Sequence, residues 1–157
     1  MQYPDLVQLP VDGRQSATAG AVARGARRLL RAHGYASLME LTLANGRRAD
    51  IIALAANAEI HIVEIKSSLA DFQADQKWPE YRDYCDRFFF AIPNDFPAGI
   101  IPADTGLIIA DSYGAELHRS APEHRLAPAA RRAVLLRFAQ TAANRFHGLS
   151  DPELGFE

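Results

Sequence analysis

At 157 residues the chain has the length for one domain with a real core and too little for two ordinary ones, so a single domain over 1–157 is expected. Its 48% hydrophobic and 23% charged residues exclude a disordered or low-complexity chain, and the net charge of −2 argues against indiscriminate nucleic-acid binding. The lone cysteine, Cys85, excludes an internal disulfide and a cysteine-based zinc site.

In chain order, MQYPDLVQLP lacks the basic and apolar regions of a secretory leader, and no apolar run reaches the roughly 18 residues of a membrane-spanning helix. A cytoplasmic protein away from membranes is expected. Ser16 or Thr18 then caps a helix to about His33, with Ala17, Val22, Ala26, Leu29 and Leu30 at mostly helical spacing and Gly34 as its stop. YASLMELTL reads as a strand, NG as a turn, RRADIIALA as a second strand and IHIVEIK as a third. Asp71 caps a helical stretch toward Cys85, with Pro79 either kinking it or opening a second helix. DRFFFAIP is a buried strand by its aromatic run, TGLIIAD another, and GAELHRS an edge strand paired to it across SYG. Pro128 starts the last helix. This order predicts an α/β sandwich around one mixed sheet.

Charge is uneven along the chain. Residues 14–31 carry Arg14, Arg24, Arg27, Arg28 and Arg31 without an acid, and 119–147 carry six arginines against Glu123, whereas 71–111 is acidic. Such a dipole steers phosphates to one face; ordinary solvated arginines would give the same pattern. Fifteen of the seventeen basic residues are arginine, so the two lysines, Lys66 and Lys77, mark places where a compact ammonium is preferred to a planar guanidinium.

The third strand raises the chemical question. Its alternation puts Ile60, Ile62, Glu64 and Lys66 on one face and His61, Val63 and Ile65 on the other. Asp50 sits among apolar residues in RADIIAL, where a lone carboxylate is unfavourable. An odd-numbered loop around Asn57 would set Asp50 against Glu64. Two adjoining carboxylates repel unless a cation lies between them, and oxygen donors suit Mg2+ or Mn2+, with Lys66 beside the ion. A plain ion pair of Lys66 with Glu64 or Asp50 is the other reading. Glu40 joins only if Ala44, Asn45 and Gly46 form a three-residue loop with Gly46 left-handed, so that Leu43 faces Arg47 and Glu40 faces Asp50; that register is expected here. The histidines show no zinc-ligand spacing, and no nucleophile elbow or phosphate-binding glycine loop is present. Trp78 and Tyr81 read as packing more readily than as base-stacking residues. Ser67 and Ser68 either donate to a phosphate or cap the turn after the strand. For Asp71 and Asp75 the simpler reading is a helix cap and a solvated residue.

Asp50, thirteen intervening residues and Glu64–Ile65–Lys66 resemble the PD-(D/E)XK nuclease signature, in an element order similar to that of Holliday-junction-resolvase-like members. More closely, ELTLANGRRADIIAL, VEIKSSLADFQADQKWPEYRDYCDRFFFAIP, GLIIADSYGAELHR and LRFAQTAANR resemble the MmcB family of DNA-repair endonucleases, over about 16–147. The resemblance implies a restriction-endonuclease-like α/β/α sandwich. It implies Asp50 and Glu64 as metal ligands, the Ile65 carbonyl as a candidate third, Lys66 as the catalytic lysine, and Lys77, four residues before Tyr81, as a phosphate or site contact. Ala49 stands where the signature has proline, and the first helix lacks the glutamate many relatives carry there, a place Glu40 would fill. The expected protein is therefore a Mg2+- or Mn2+-dependent DNA endonuclease acting on damaged or branched DNA. Its site is Glu40, Asp50, Glu64 and Lys66, with backbone contacts from Arg24, Arg27, Arg28, Arg47 and Arg48; a homodimer is compatible with such an enzyme, but no surface stripe in the sequence decides between one protomer and two. The rivals are a non-catalytic DNA-structure-binding or partner-recruiting module on the same fold, and a structural protein whose ion pair holds the sheet.

Overall fold

The computed structural model describes residues 16–153, so Arg14 and the lead-in lie outside it. Ser16 caps the first helix, α1 (Ala17–Ala32), its hydroxyl accepting from Ala19 N at 3.1 Å, and Gly34 ends it in the left-handed region with φ +83°. The strands follow as expected: β1 (Ala36–Thr42), β2 (Arg48–Leu54), β3 (Ile60–Ile65), β4 (Arg87–Ile92), β5 (Gly106–Ala110) and β6 (Ala115–Arg119). They lie side by side in sequence order in one six-stranded mixed sheet, with β3, β4 and β5 parallel and the remaining neighbours antiparallel. Helix α1 covers one face and α3 (Pro128–Ser150) the other, giving an α/β/α sandwich. Each layer has its own core. Val22, Ala26 and Leu30 of α1 pack on Ile51, Val63 and Ile108, while Val134 of α3 packs with Ile52, Ile62, Phe88 and Phe90.

The β1–β2 loop has the length, and the β2–β3 loop the odd number of residues, read from the sequence. Leu43 N donates to Arg47 O at 2.7 Å across Ala44–Gly46, with Gly46 at φ +83°. Ala55 N donates to Glu59 O at 2.9 Å across a loop centred on Asn57. Between β3 and β4 the expectation is corrected. Ser68, not Asp71, caps the short helix α2 (Leu69–Ala74), accepting from Asp71 N at 3.1 Å, because a serine hydroxyl at the strand end reaches the third amide of the turn. Pro79 opens a separate 3-10 helix, Trp78–Tyr84. Its aromatics serve packing: the Trp78 ring stacks on Phe88 at 5.5 Å and Tyr81 on the same ring at 6.2 Å. Cys85 lies buried below them, its thiol pushed up to about 12 by burial.

Three contacts fix the layers. Gly25 brings α1 against the β5–β6 turn so closely that a Cβ there would lie 2.0 Å from Asp111 O. Asp86, 1% exposed, accepts from Ile60 N, Leu126 N and both guanidinium amines of Arg131, tying the segment before α3 to β3. The outer edge of β1 is closed by arginines: Arg27 bonds the Ser37 hydroxyl and carbonyl from one side, and Arg145 bonds the Met39 and Glu40 carbonyls from the other. At the opposite edge a register shift between Leu107 and Ile108 bends β6.

Candidate active site

The β1–β2 hairpin turns over in its middle. Leu41 and its partner Ala49 pack in the α3-side core, yet Met39 and its partner Ile51 pack on the α1 side. Residues two apart on a regular strand share a face, so the inversion falls at Glu40 and Asp50. Glu40 takes it up with φ +54°, a left-handed backbone unusual for a residue with a Cβ.

Asp50 then stands opposite Glu64, one step beyond the last pair of the β2–β3 ladder, Ile51 and Val63. Where backbone would meet backbone, carboxylates intervene. Asp50 N donates to Glu64 Oε1 at 2.9 Å, and Ile65 N donates to Asp50 Oδ2 at 2.8 Å. Glu64 is 5% exposed. Burial, followed by the charge of Asp50, holds the Glu64 carboxyl well above the usual carboxylate range. Burial also raises Asp50, against the bond from Ile65 N. The proximity of the two carboxyls couples their titration, so that ionising one disfavours ionising the other.

Lys66 follows at the end of β3, 5% exposed. Its ammonium does not pair with Glu64 or Asp50 in the way a simple strand ion pair would. It pairs with Asp75 Oδ2 at 2.7 Å, although its charge still favours ionisation of both carboxyls. Asp75 is thus not the solvated residue its helical spacing suggests. Its other oxygen accepts from Lys77 N and Trp78 N, and although burial opposes ionisation, these bonds and Lys66 hold its pKa below the usual range. Tyr81 closes the far side: its hydroxyl donates to Arg48 O at 2.9 Å, two residues before Asp50.

A family model described as DNA repair protein MmcB-like matches residues 7–153. The chain belongs to the MmcB-like family. It is also similar to a solved structure, the SPO1766 protein of unknown function from Silicibacter pomeroyi. The two are 47% identical, the match covers 90% of this chain and 97% of that one, and the TM-score is 0.86. No curated protein matches the chain.

In this MmcB-like chain the other expected site residues divide. Glu40 does not join the pair: its carboxylate lies 3.9 Å from Arg48, and among the described residues no three His, Cys, Asp or Glu side chains gather as a metal-ligand set. The register places it opposite Asp50, but its left-handed backbone breaks the alternation on which that expectation rests. Arg27 and Arg28, with Arg24, stand on α1, across the sheet from Glu64, and the first two are bound to Ser37 and to Tyr113 O. Arg47 pairs with Glu80. Lys77 is exposed beside Asp75. Ser67 N bonds Asp71, and its hydroxyl lies 3.5 Å from that of Ser16, placing the α1 cap next to the turn. His61 points away from Glu64 as expected, against Tyr35 and Phe89 and bonded to Glu59 at 2.7 Å. Sequence reasoning missed the pairing of Asp75. The available signal was that a buried strand-end lysine needs a carboxylate that Glu64, already opposed to Asp50, cannot supply alone. Among the described residues no helix is long and apolar enough to cross a membrane.

Proposed function

We propose that this MmcB-like protein is a metal-dependent endodeoxyribonuclease of DNA repair. It would hydrolyse phosphodiester bonds in damaged or branched DNA with Mg2+ or Mn2+ held by Asp50 and Glu64. The observation that carries the reading is the meeting of two inward carboxyls from adjoining strands beside a buried lysine at the end of β3. The donor set fits such an ion. Both carboxyls are held above their usual range by burial and Glu64 also by Asp50, a penalty that a divalent cation relieves, and a two-carboxylate site completed by water suits Mg2+ or Mn2+. On this reading Ala49–Asp50 and Glu64–Ile65–Lys66 form a PD-(D/E)XK site in a restriction-endonuclease-like fold, with the Ile65 carbonyl as a further ligand.

When bound, the ion supplies an activated water and a Lewis acid at the scissile phosphate. Lys66 presents a fixed positive charge to the phosphate oxygens, where charge accumulates during displacement. Asp50 and Glu64 orient the ion while their backbone bonds keep β2 and β3 rigid. Lys77, Arg48, Ser67 and Ser68 flank the site as backbone contacts.

One observation favours a second reading, a DNA-structure-binding module without catalysis: Glu40 is turned to Arg48, leaving two carboxyls in place of three. One assay separates the two. Purified protein is incubated with four-way-junction, flapped and nicked DNA in Mn2+, beside Asp50→Ala and Lys66→Ala. Cleavage abolished by either substitution, with binding retained, supports the nuclease. Cleavage unchanged in both variants overturns this site, and tight junction binding without cleavage selects the binding module.

A further inference from the structure

We propose that Asp75 is the positioning residue of this site, fixing the Lys66 ammonium where it serves the reaction. The inference rests on reading Lys66 as the group that meets the phosphate. Lys66 lies at the end of a buried strand, 5% exposed, and a long flexible amine there has many rotamers and needs a partner to hold one of them. Asp75 Oδ2 is that partner, at 2.7 Å.

Asp75 is itself held by the chain that follows it. Its Oδ1 accepts from Lys77 N at 2.9 Å and Trp78 N at 3.1 Å, which starts the 3-10 helix. That helix carries Tyr81, whose hydroxyl bonds Arg48 O on the strand that delivers Asp50. One carboxylate thus links the lysine to the element braced against the strand of the first acid. The Lys66-to-Asp50 spacing is fixed through Asp75, Trp78 and Tyr81 as well as through the sheet. Displacing a reacting group by about 1 Å lowers turnover by as much as 100-fold, so this bond sets rate more than affinity.

The two oxygens have separate tasks, and that makes the inference testable. Asp75→Asn keeps an oxygen for the Lys77 and Trp78 amides but puts an amide donor against Lys66. Asp75→Glu keeps the charge, and Asp75→Ala removes both functions. The chain has two lysines, so lysine acetylation read by peptide mass spectrometry follows Lys66 against exposed Lys77 in one sample.

In the native protein Lys66 should acetylate far more slowly than Lys77. Labelled well below the melting temperature of each variant, Asp75→Asn should lose most of that protection with the Lys77 rate unchanged, and Asp75→Glu should restore part of it. In the junction-cleavage assay Asp75→Asn should lower kcat by about 10- to 100-fold with little change in KM, again partly rescued by Asp75→Glu. Lys66 as protected in Asp75→Asn as in the native chain overturns the proposal, as does full kcat in that variant. Native protein that protects Lys66 through Asp75 yet cleaves no DNA sinks the nuclease reading, and with it the catalytic purpose assigned to Asp75. Failure in labelling with cleavage intact removes Asp75 alone.

Discussion

Asp50 and Glu64 each bond the other strand's backbone: Asp50 N donates to Glu64 Oε1 at 2.9 Å, and Asp50 Oδ2 accepts from Ile65 N at 2.8 Å. The side chains do the work of a missing ladder step, and they hold two acids where burial opposes the ionisation of both.

A stability penalty follows, with a definite pH sign. Both carboxyls have folded pKa values raised by burial, Glu64 well above its ordinary value and further by Asp50. The folded state therefore binds protons that the unfolded state releases, and in EDTA stability falls as pH rises from the ordinary carboxylate range through the folded pKa of the pair. Glu64→Gln should flatten this slope and stabilise the metal-free protein at pH 8 by about 1–2 kcal/mol. Guanidinium unfolding at pH 5 and 8 measures it, and a steeper slope in the variant would contradict it.

Mn2+ should act in the opposite direction on the native chain. An ion that binds only the folded state stabilises it by about 3 kcal/mol at 100 times its Kd. A thermal-shift titration at pH 8 should show this rise in the native protein and lose it in Asp50→Asn and Glu64→Gln. An equal rise in all three would place the ion elsewhere.

Asp86 is the structural counterpart of this destabilised pair. Despite burial, the bonds from Arg131, Ile60 N and Leu126 N lower its pKa to about 2. Its contribution, about 2 kcal/mol, is complete above the ordinary aspartate pKa and lost as pH falls toward 2. Asp86→Asn should destabilise the protein at neutral pH by about 3–5 kcal/mol, since it leaves Arg131 without its charge partner. Denaturant titrations at pH 7 and 3 should show the gap between variant and native narrowing in acid.

Gly25 tests the seating of α1. A Cβ there meets the carbonyl oxygens of Asp111 at 2.0 Å and Gly114 at 2.4 Å, both backbone, so neither can swing aside. Gly25→Ala should destabilise by about 3 kcal/mol although alanine is the better helix former, whereas Gly20→Ala, with nothing within 4 Å, should stabilise by about 0.5–1 kcal/mol. Melting curves of the pair decide it; equal effects would contradict the packing.

The sequence by itself determined the element order, the length of the first hairpin loop, the odd count of the second and hence the meeting of Asp50 with Glu64. Glycine at 46 and an odd loop about Asn57 act over three to five residues, and strand alternation carries their effect along β2 and β3. Only the tertiary structure decided which charges meet which. Glu40 left the pair because its backbone inverts where Arg145, from a helix 105 residues away, takes its carbonyl. Arg27 and Arg28 became fastenings for Ser37 and Tyr113 on the face away from Glu64, and Lys66 found Asp75 across α2. Local rules fix where a side chain starts and on which side. The partner it reaches depends on segments far apart in sequence arriving at one place, and no spacing along a single strand records that arrival.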